Sequence, residues 1–374
     1  MKSYIHVLSD FFKMHKARTM TFSVGLFLII MLVLSCLLTT GIFREQQTTL
    51  AQQYIQTIKY RNLVIDLGNG LKTSAQSTLP AVGKGPFPGG LHVHGSGAHD
   101  KNETLGYVHK SGGQPPKPFW QIDQYLSERG FAVLRYDKRG IGANKTILNS
   151  NVWGNLTTNQ LKQDAEKALS VFIQQPEVDP KKITLIGHSE GTIIVPRVAI
   201  ENTTKVENIV LMGTVAQNFR DIIRLQNVDE PLLFAKQILD LDHDGILSLS
   251  EVASRINGSS ADAATKEAVN SLIEKDNKTG QYVWHPGLDV DKDGTVNSDK
   301  ELKPLLVNTF ESLAPFPTGK CTALEPCRTW IKSVLALQPN LSVIGNLSST
   351  NILILNGEND SQTPVQQAFF CSKD

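Results

Sequence analysis

The run Ile183-Thr-Leu-Ile-Gly-His-Ser-Glu-Gly191, followed by Thr192-Ile-Ile-Val195, constrains the fold of this 374-residue chain more than any other stretch. A short apolar segment ends in Gly-X-Ser-X-Gly and passes directly into residues compatible with a helix. That order predicts a tight strand-to-helix turn that lifts Ser189 above a parallel sheet. Gly187 and Gly191 stand two residues either side of the serine, where a side chain would crowd such a turn. The amide end of the following helix would face whatever the hydroxyl approaches, which suits a developing negative charge. An ordinary buried strand-to-helix turn with a hydrogen-bonded serine is the plain alternative, and the motif alone does not separate the two.

The surrounding pattern supports a sheet. Strands are expected at 62–66 and 71–77 around Gly68-Asn-Gly70, a hairpin-like turn. A loop at 84–90 feeds a strand at 91–94. Helix 118–129, strand 131–136, helix 159–174, the strand before Ser189, its helix to about Ile200 and strand 207–212 then alternate. Helix 159–174 carries Leu161, Ala165, Ala168, Leu169 and Phe172 at amphipathic spacing. Alternation of this kind argues the α/β class, a parallel sheet with crossover helices on both faces, over 61–214. From 215 to 348 helical and loop segments dominate and no clear strand is expected, so this stretch reads as an insertion or cap. Alternation resumes over 349–374 with the apolar run 351–355, expected as a buried strand.

The N-terminus has a different character. Lys13, His15, Lys16 and Arg18 precede 19–43, a run without a charged residue, and Arg44 follows. Crossing a bilayer takes about 20 mostly apolar residues, and a cleavable signal has a shorter apolar region. The reading is a cytoplasmic basic segment (1–18), an uncleaved single-pass transmembrane helix (19–43) and a polar stalk (44–60). The basic flank stays inside, so the rest of the chain faces outward from the cell membrane. Sequons beginning at Asn102, Asn144, Asn155, Asn202, Asn257, Asn277, Asn340 and Asn346 suit that location. Cys321 and Cys327 could pair in an oxidising compartment or remain thiols, while Cys371 has no evident mate. With 37 basic and 36 acidic residues and no basic stripe interleaved with aromatics, nucleic acid is not expected as a partner.

Four pieces in order, His94-Gly-Ser-Gly97, Tyr136-Asp-Lys-Arg-Gly140, Gly187-His-Ser-Glu-Gly191 and Gly357-Glu-Asn-Asp360-Ser-Gln-Thr-Pro364, resemble the α/β-hydrolase family, particularly its esterase and prolyl-oligopeptidase-like branches. The resemblance covers 60–214 and 349–374. It implies that Ser189 attacks an acyl carbon, that the backbone amides of Ser96 and Glu190 hold the oxyanion, and that Asp360 orients a histidine, with Glu358 as its rival. His94 and His188 read as structural, and Asp137 and Arg139 as braces of their loop. The same resemblance expects a histidine downstream of Asp360. All nine histidines (6, 15, 92, 94, 99, 109, 188, 243 and 285) lie upstream. A sequence lacking its last strand and helix is the preferred explanation. A substitute base such as His99 or His285, or a binding role without catalysis, are the alternatives.

Within the cap, Asp240-Leu-Asp-His-Asp-Gly-Ile-Leu-Ser-Leu-Ser-Glu251 matches the twelve-residue EF-hand loop at every defining position. Asp240, Asp242, Asp244 and Glu251 would give carboxylates to Ca²⁺, Ile246 its carbonyl, and Ser248 a bridging water. A second loop (289–300) offers Asp289, Asp291, Asp293, Thr295 and Asn297 but places Lys300 at position twelve, so Asp299 or Glu301 must substitute. Its opening also resembles dockerin-type loops. The combined expectation is a membrane-anchored, outward-facing serine hydrolase with a calcium-binding cap, acting on small ester, thioester or peptide substrates. The alternative is a calcium-dependent surface binding protein on the same scaffold.

Overall fold

Asn69 and Gly70 both adopt positive φ, 53° and 75°, the turn geometry that matches the twist of a two-residue hairpin. They join β1 (Ile58–Gly68) to β2 (Leu71–Pro80) in antiparallel register. The computed structural model of the chain describes residues 57–105, 115–257, 261, 263–312 and 328–371. The expected membrane span, its cytoplasmic flank and the stalk to residue 56 lie outside these, as do Cys36, Cys321 and Cys327. Among the described residues no helix is long and apolar enough to cross a membrane. Residues 58–60, expected in the stalk, instead open β1, where Ile58 is buried.

The main sheet has seven strands in the order β1-β2-β4-β3-β5-β6-β11. Strands β3 (Phe87–Val93), β4 (Ala132–Tyr136), β5 (Val178–His188), β6 (Val206–Met212) and β11 (Asn351–Leu355) run parallel, whereas β1 and β2 join antiparallel through β4. The sheet is therefore mixed, not wholly parallel. Strand β3 starts before the expected 91 and includes Gly89, where a Cβ would stand 2.7 Å from Ile183 Cδ1 and 2.9 Å from Phe172 Cε1. The missing side chain lets helix α2 settle onto the strand.

Helices α1 (Pro118–Ser127), α2 (Thr158–Ile173) and α3 (Gly191–Glu201) pack against this sheet. Helix α2 begins at a capping box in which Thr157 and Gln160 satisfy each other's backbone amides. Its Leu161, Ala165, Ala168, Leu169 and Phe172 are buried as the amphipathic spacing requires. Strand β11 departs from expectation. It has a neighbour on one side only among the described residues, and Leu353 is 52% exposed. Among the described residues it stands at the edge of the sheet.

Among the described residues between β6 and β11, four short strands appear where none was expected. Strand β7 (Ile246–Ser248) pairs with β10 (Thr295–Asn297), and β8 (Ile273–Lys275) pairs with β9 (Tyr282–Trp284). Three-residue strands carry too few positions for a period-two pattern to register in sequence. They enclose a second, smaller core that includes Leu247, Val252, Val269, Ile273, Val296 and Leu302. Helix Arg328–Leu335 belongs instead to the main core through Trp330, Ile331 and Val334.

Candidate active site

Strand β5 delivers Gly187-His188 to the sheet's C-terminal edge, and α3 begins at Gly191. Between them Ser189 sits at φ 50°, a left-handed conformation that strains a non-glycine residue. Its amide is fixed by donating to Met212 O at 2.9 Å. The two flanking glycines are sterically required. A Cβ on Gly191 would lie 2.2 Å from Val93 O, and one on Gly187 would lie 2.4 Å from Gly191 O. Ser189 is partly exposed.

The loop after β3 closes against this turn. A Cβ built on Gly95 would lie 3.3 Å from Ser189 Cβ and 3.1 Å from His188 Nδ1. Among the described residues, neither the Ser96 amide nor the Glu190 amide finds a hydrogen-bond acceptor. Unpaired N–H groups beside a strained serine are what an incoming oxyanion needs. Asp360 reaches the same edge from the loop after β11. Its Oδ2 would stand 3.6 Å from a Cβ on Gly213, the point from which His188 Cδ2 is 3.9 Å away. Its Oδ1 accepts from the amides of Gln362 and Thr363, and Oδ2 from Thr363 Oγ1. The rival Glu358 is solvent-exposed.

The described histidines divide by environment. His94 is buried (1% exposed) between Phe119 and the edge of Tyr136, and burial pushes its pKa well down. His99 Nε2 lies 2.6 Å from Ser96 O, and burial lowers its pKa to about 4. His285 is bonded to Asn270 O beside the small core. His188 Nδ1 lies 3.0 Å from Glu103 Oε2. Burial works against the His188 imidazolium, yet the Glu103 carboxylate outweighs it and raises the pKa. Burial likewise opposes ionisation of Glu103, but the ring beside it holds that carboxyl at about 2.

Asp137 and Arg139 act as braces. Asp137 Oδ1 accepts from the Lys101 amide at 2.6 Å, and Arg139 grips both oxygens of Asp164 at 2.5 and 2.7 Å. Sequence reasoning passed over the residue between them. Lys138 is 3% exposed and donates to Gly95 O at 2.5 Å and to Glu190 Oε2 at 3.0 Å. Trp330 Nε1 donates to the other oxygen of Glu190. Glu103 Oε1 accepts from the Gly95 amide at 2.8 Å. The one available signal for Lys138 was its place in the first turn after a parallel strand, where site residues gather.

The acidic loops form two matching cradles. Ligand atoms of Asp240, Asp242 and Glu251 lie within 4.8 Å of one another, and so do those of Asp289, Asp291 and Glu301. Glu251 accepts from the amides of Leu241 and Ser248, and Glu301 accepts from those of Val290 and Asn297, the same loop positions. Gly245 donates to Asp240 Oδ2 just as Gly294 donates to Asp289 Oδ2. Asp244 and Asp293 each accept from the amide two residues on, Ile246 and Thr295. Ser248 Oγ rests on Glu251 at 2.6 Å, and Asn297 caps the following turn. Glu301 reaches its place because Ser298–Leu302 forms a π-helical turn, which absorbs one extra residue. Asp299 turns outward to Lys236 at 2.7 Å. Asp240 is 2% exposed, and its Oδ1 is buried without a partner. An orphaned carboxylate oxygen facing other carboxylates fits a hard divalent cation.

The family model for serine aminopeptidase, S33 (Hydrolase_4), matches residues 118–240. Esterase EstD of Thermotoga maritima is 29% identical over 190 residues, which are 50% of this chain and 41% of that enzyme. The chain thus spans less than half the length of this relative. Among solved structures, the α/β hydrolase GrgF from Penicillium sp. sh18 is 18% identical, with 84% of this chain and 86% of that one covered at a TM-score of 0.45. Acylaminoacyl peptidase of Pyrococcus horikoshii is 13% identical, with 86% and 35% covered at a TM-score of 0.43. Residues 118–240, which carry the glycine-flanked serine at the end of β5, are thus similar to the hydrolases of the α/β-hydrolase superfamily.

Proposed function

We propose that the protein is a serine hydrolase that cleaves ester, thioester or peptide bonds through an acyl-enzyme. The observation that carries this reading is Ser189, strained at φ 50° and partly exposed, beside the unpaired amides of Ser96 and Glu190. The Ser189 oxygen adds to the acyl carbon, and the carbonyl π pair moves onto oxygen, where two N–H groups receive it. Collapse expels the leaving group, and water then releases the acid. The α/β-hydrolase resemblance implies a histidine oriented by Asp360 as the proton acceptor, whereas His188 is tied to Glu103 and carries a raised pKa. The names of the matched family and of the Thermotoga esterase support peptide or ester substrates of modest size.

The reading extends to two further features. Residues 19–43 anchor the chain in the cell membrane with the hydrolase facing outward. Ca²⁺ occupies the cradles at 240–251 and 289–301, held by Asp240, Asp242, Asp244, the Ile246 carbonyl and Glu251, and by Asp289, Asp291, Asp293, the Thr295 carbonyl and Glu301. The ion would neutralise clustered carboxylates and order the lobe built on the smaller core.

The test is turnover of nitrophenyl esters and aminoacyl amides by the full-length protein and its Ser189→Ala variant. Hydrolysis by the wild type that the variant lacks is expected. Equal rates would overturn the reading, and absence of turnover would favour the binding-protein alternative.

A further inference from the structure

The proposed chemistry leaves a buried ammonium without a task. Lys138 lies in the first turn after β4, is 3% exposed, and contacts two acceptors from different segments, Gly95 O and Glu190 Oε2. Taking a charge out of water costs several kcal/mol, so such a group persists where firmly placed partners offset the cost. Both acceptors belong to residues that set a proposed oxyanion donor.

The first acceptor works through peptide geometry. A trans peptide is planar, with its C=O and the following N–H pointing in opposite directions. Holding Gly95 O therefore decides where the Ser96 N–H points. The neighbouring groups are fixed as well. Gly95 N donates to Glu103 Oε1 at 2.8 Å, and Ser96 O lies 2.6 Å from His99 Nε2. Of the four polar backbone groups of Gly95 and Ser96, three are thus tied, and the Ser96 amide is the one left open. The second acceptor works through the elbow. Glu190 is fully buried, with one carboxylate oxygen on Lys138 and the other on the Trp330 indole. Its own N–H is the second open donor. One ammonium therefore spans both halves of the oxyanion pocket.

We infer that Lys138 is a positioning residue that aims the Ser96 and Glu190 amides at a shared oxyanion. Glu103 and Trp330 hold the far sides of the same two residues. Lys138 does not touch substrate, and its contribution is realised when charge develops on the carbonyl oxygen. This inference rests on the serine-hydrolase reading.

The test compares wild-type full-length protein with Lys138→Met, which keeps the side-chain length and removes the charge. Turnover of a nitrophenyl ester, inhibition by an aryl boronic acid and thermal stability are measured together. Boronic acids form a tetrahedral anion on the serine and so report on the oxyanion pocket. Arg135→Met, which breaks another buried pair (with Asp123, 2.5 Å), supplies the reference for stability loss alone. Lys138→Met is expected to lower kcat by about 10²-fold with KM changed less than about threefold, and to weaken boronic acid in parallel with kcat. If it instead behaves like Arg135→Met, losing stability with kcat and boronic acid affinity retained, the assignment is wrong. Should Lys138→Met not fold, Glu190→Gln decides: a kcat loss of about tenfold at constant KM supports the assignment, and an unchanged kcat overturns it. Wild-type protein that neither turns over esters nor binds boronic acid removes the hydrolase reading and this assignment together. Turnover in the wild type with Lys138→Met unaltered removes the assignment alone.

Discussion

At the scale of residues, the site is governed by what stands too close for a side chain and by two ion pairs, Lys138–Glu190 and His188–Glu103. The glycines flanking Ser189 face backbone atoms, which cannot rotate away as a flexible side chain does. Gly191→Ala would set a methyl 2.2 Å from Val93 O, and a loss of about 3 kcal/mol, the upper end for overpacking, is expected. A urea midpoint measures it, and a change below about 1 kcal/mol would show that the turn relaxes. The Glu103–His188 pair makes a second prediction. Glu103 is held at about 2, below the ordinary carboxyl value of about 4.3. Its stabilisation is present above that ordinary value and is lost as pH falls towards 2. His188 is raised, so its share is present below the ordinary imidazole value of about 6.5 and fades as pH rises through the folded value. The pair therefore supports the fold most between about pH 4.5 and 6.5. Glu103→Gln retains an acceptor for Gly95 and removes the charge, so its melting temperature should vary less than wild type's on both flanks. Identical pH profiles would contradict the pair's role.

At the scale of elements, the second acidic loop shows how far a sequence pattern reaches. The first nine positions of both loops, the elbow turn and the hairpin at Asn69-Gly70 were all legible, because each depends on residues close in sequence. Closure of the second loop was not. Lys300 holds the twelfth place, and whether Asp299 or Glu301 replaces it depends on how the next turn winds. The π-helical Ser298–Leu302 turn carries Glu301 inward and leaves Asp299 with Lys236. Lys138, Glu103 and Trp330 were illegible for a related reason. Their partners lie 43, 8 and 140 positions away, at Gly95 for the first two and Glu190 for the third, and no local period encodes such a meeting. The cradles give a direct prediction. Calorimetric titration with Ca²⁺ should find two sites in wild type, one in Glu301→Gln, one in Glu251→Gln and two in Asp299→Asn. Two sites in Glu301→Gln with one in Asp299→Asn would reverse the choice of closing residue, and no binding in wild type would remove the calcium reading.

At the scale of the molecule, the question is whether the small core communicates with the sheet that carries Ser189. Helix Lys303–Ser312 begins directly after the turn that bears Glu301 and Leu302. Leu302 is buried in the small core, Phe310 is buried in the main one, and Leu306 packs against both. Without a cation, the carboxylates within each of two groups stand within 4.8 Å of one another, and the repulsion in the group that includes Glu301 acts on the end of this helix. Calcium at 100 times its dissociation constant would add about 2.7 kcal/mol to the folded state. For a domain of this size that corresponds to a shift of about 5 °C or somewhat more. Chelation should therefore lower the main melting transition of the wild type by about that amount. In Leu306→Ala the contact shared by the two cores is cut back, so the small core should melt in its own transition and the chelator's effect on the main one should fall by more than about half. Differential scanning calorimetry with and without chelator separates these outcomes. Equal chelator shifts in the two proteins would mean that the helix does not carry the coupling, and no shift in either would mean that the acidic lobe and the hydrolase sheet are energetically independent.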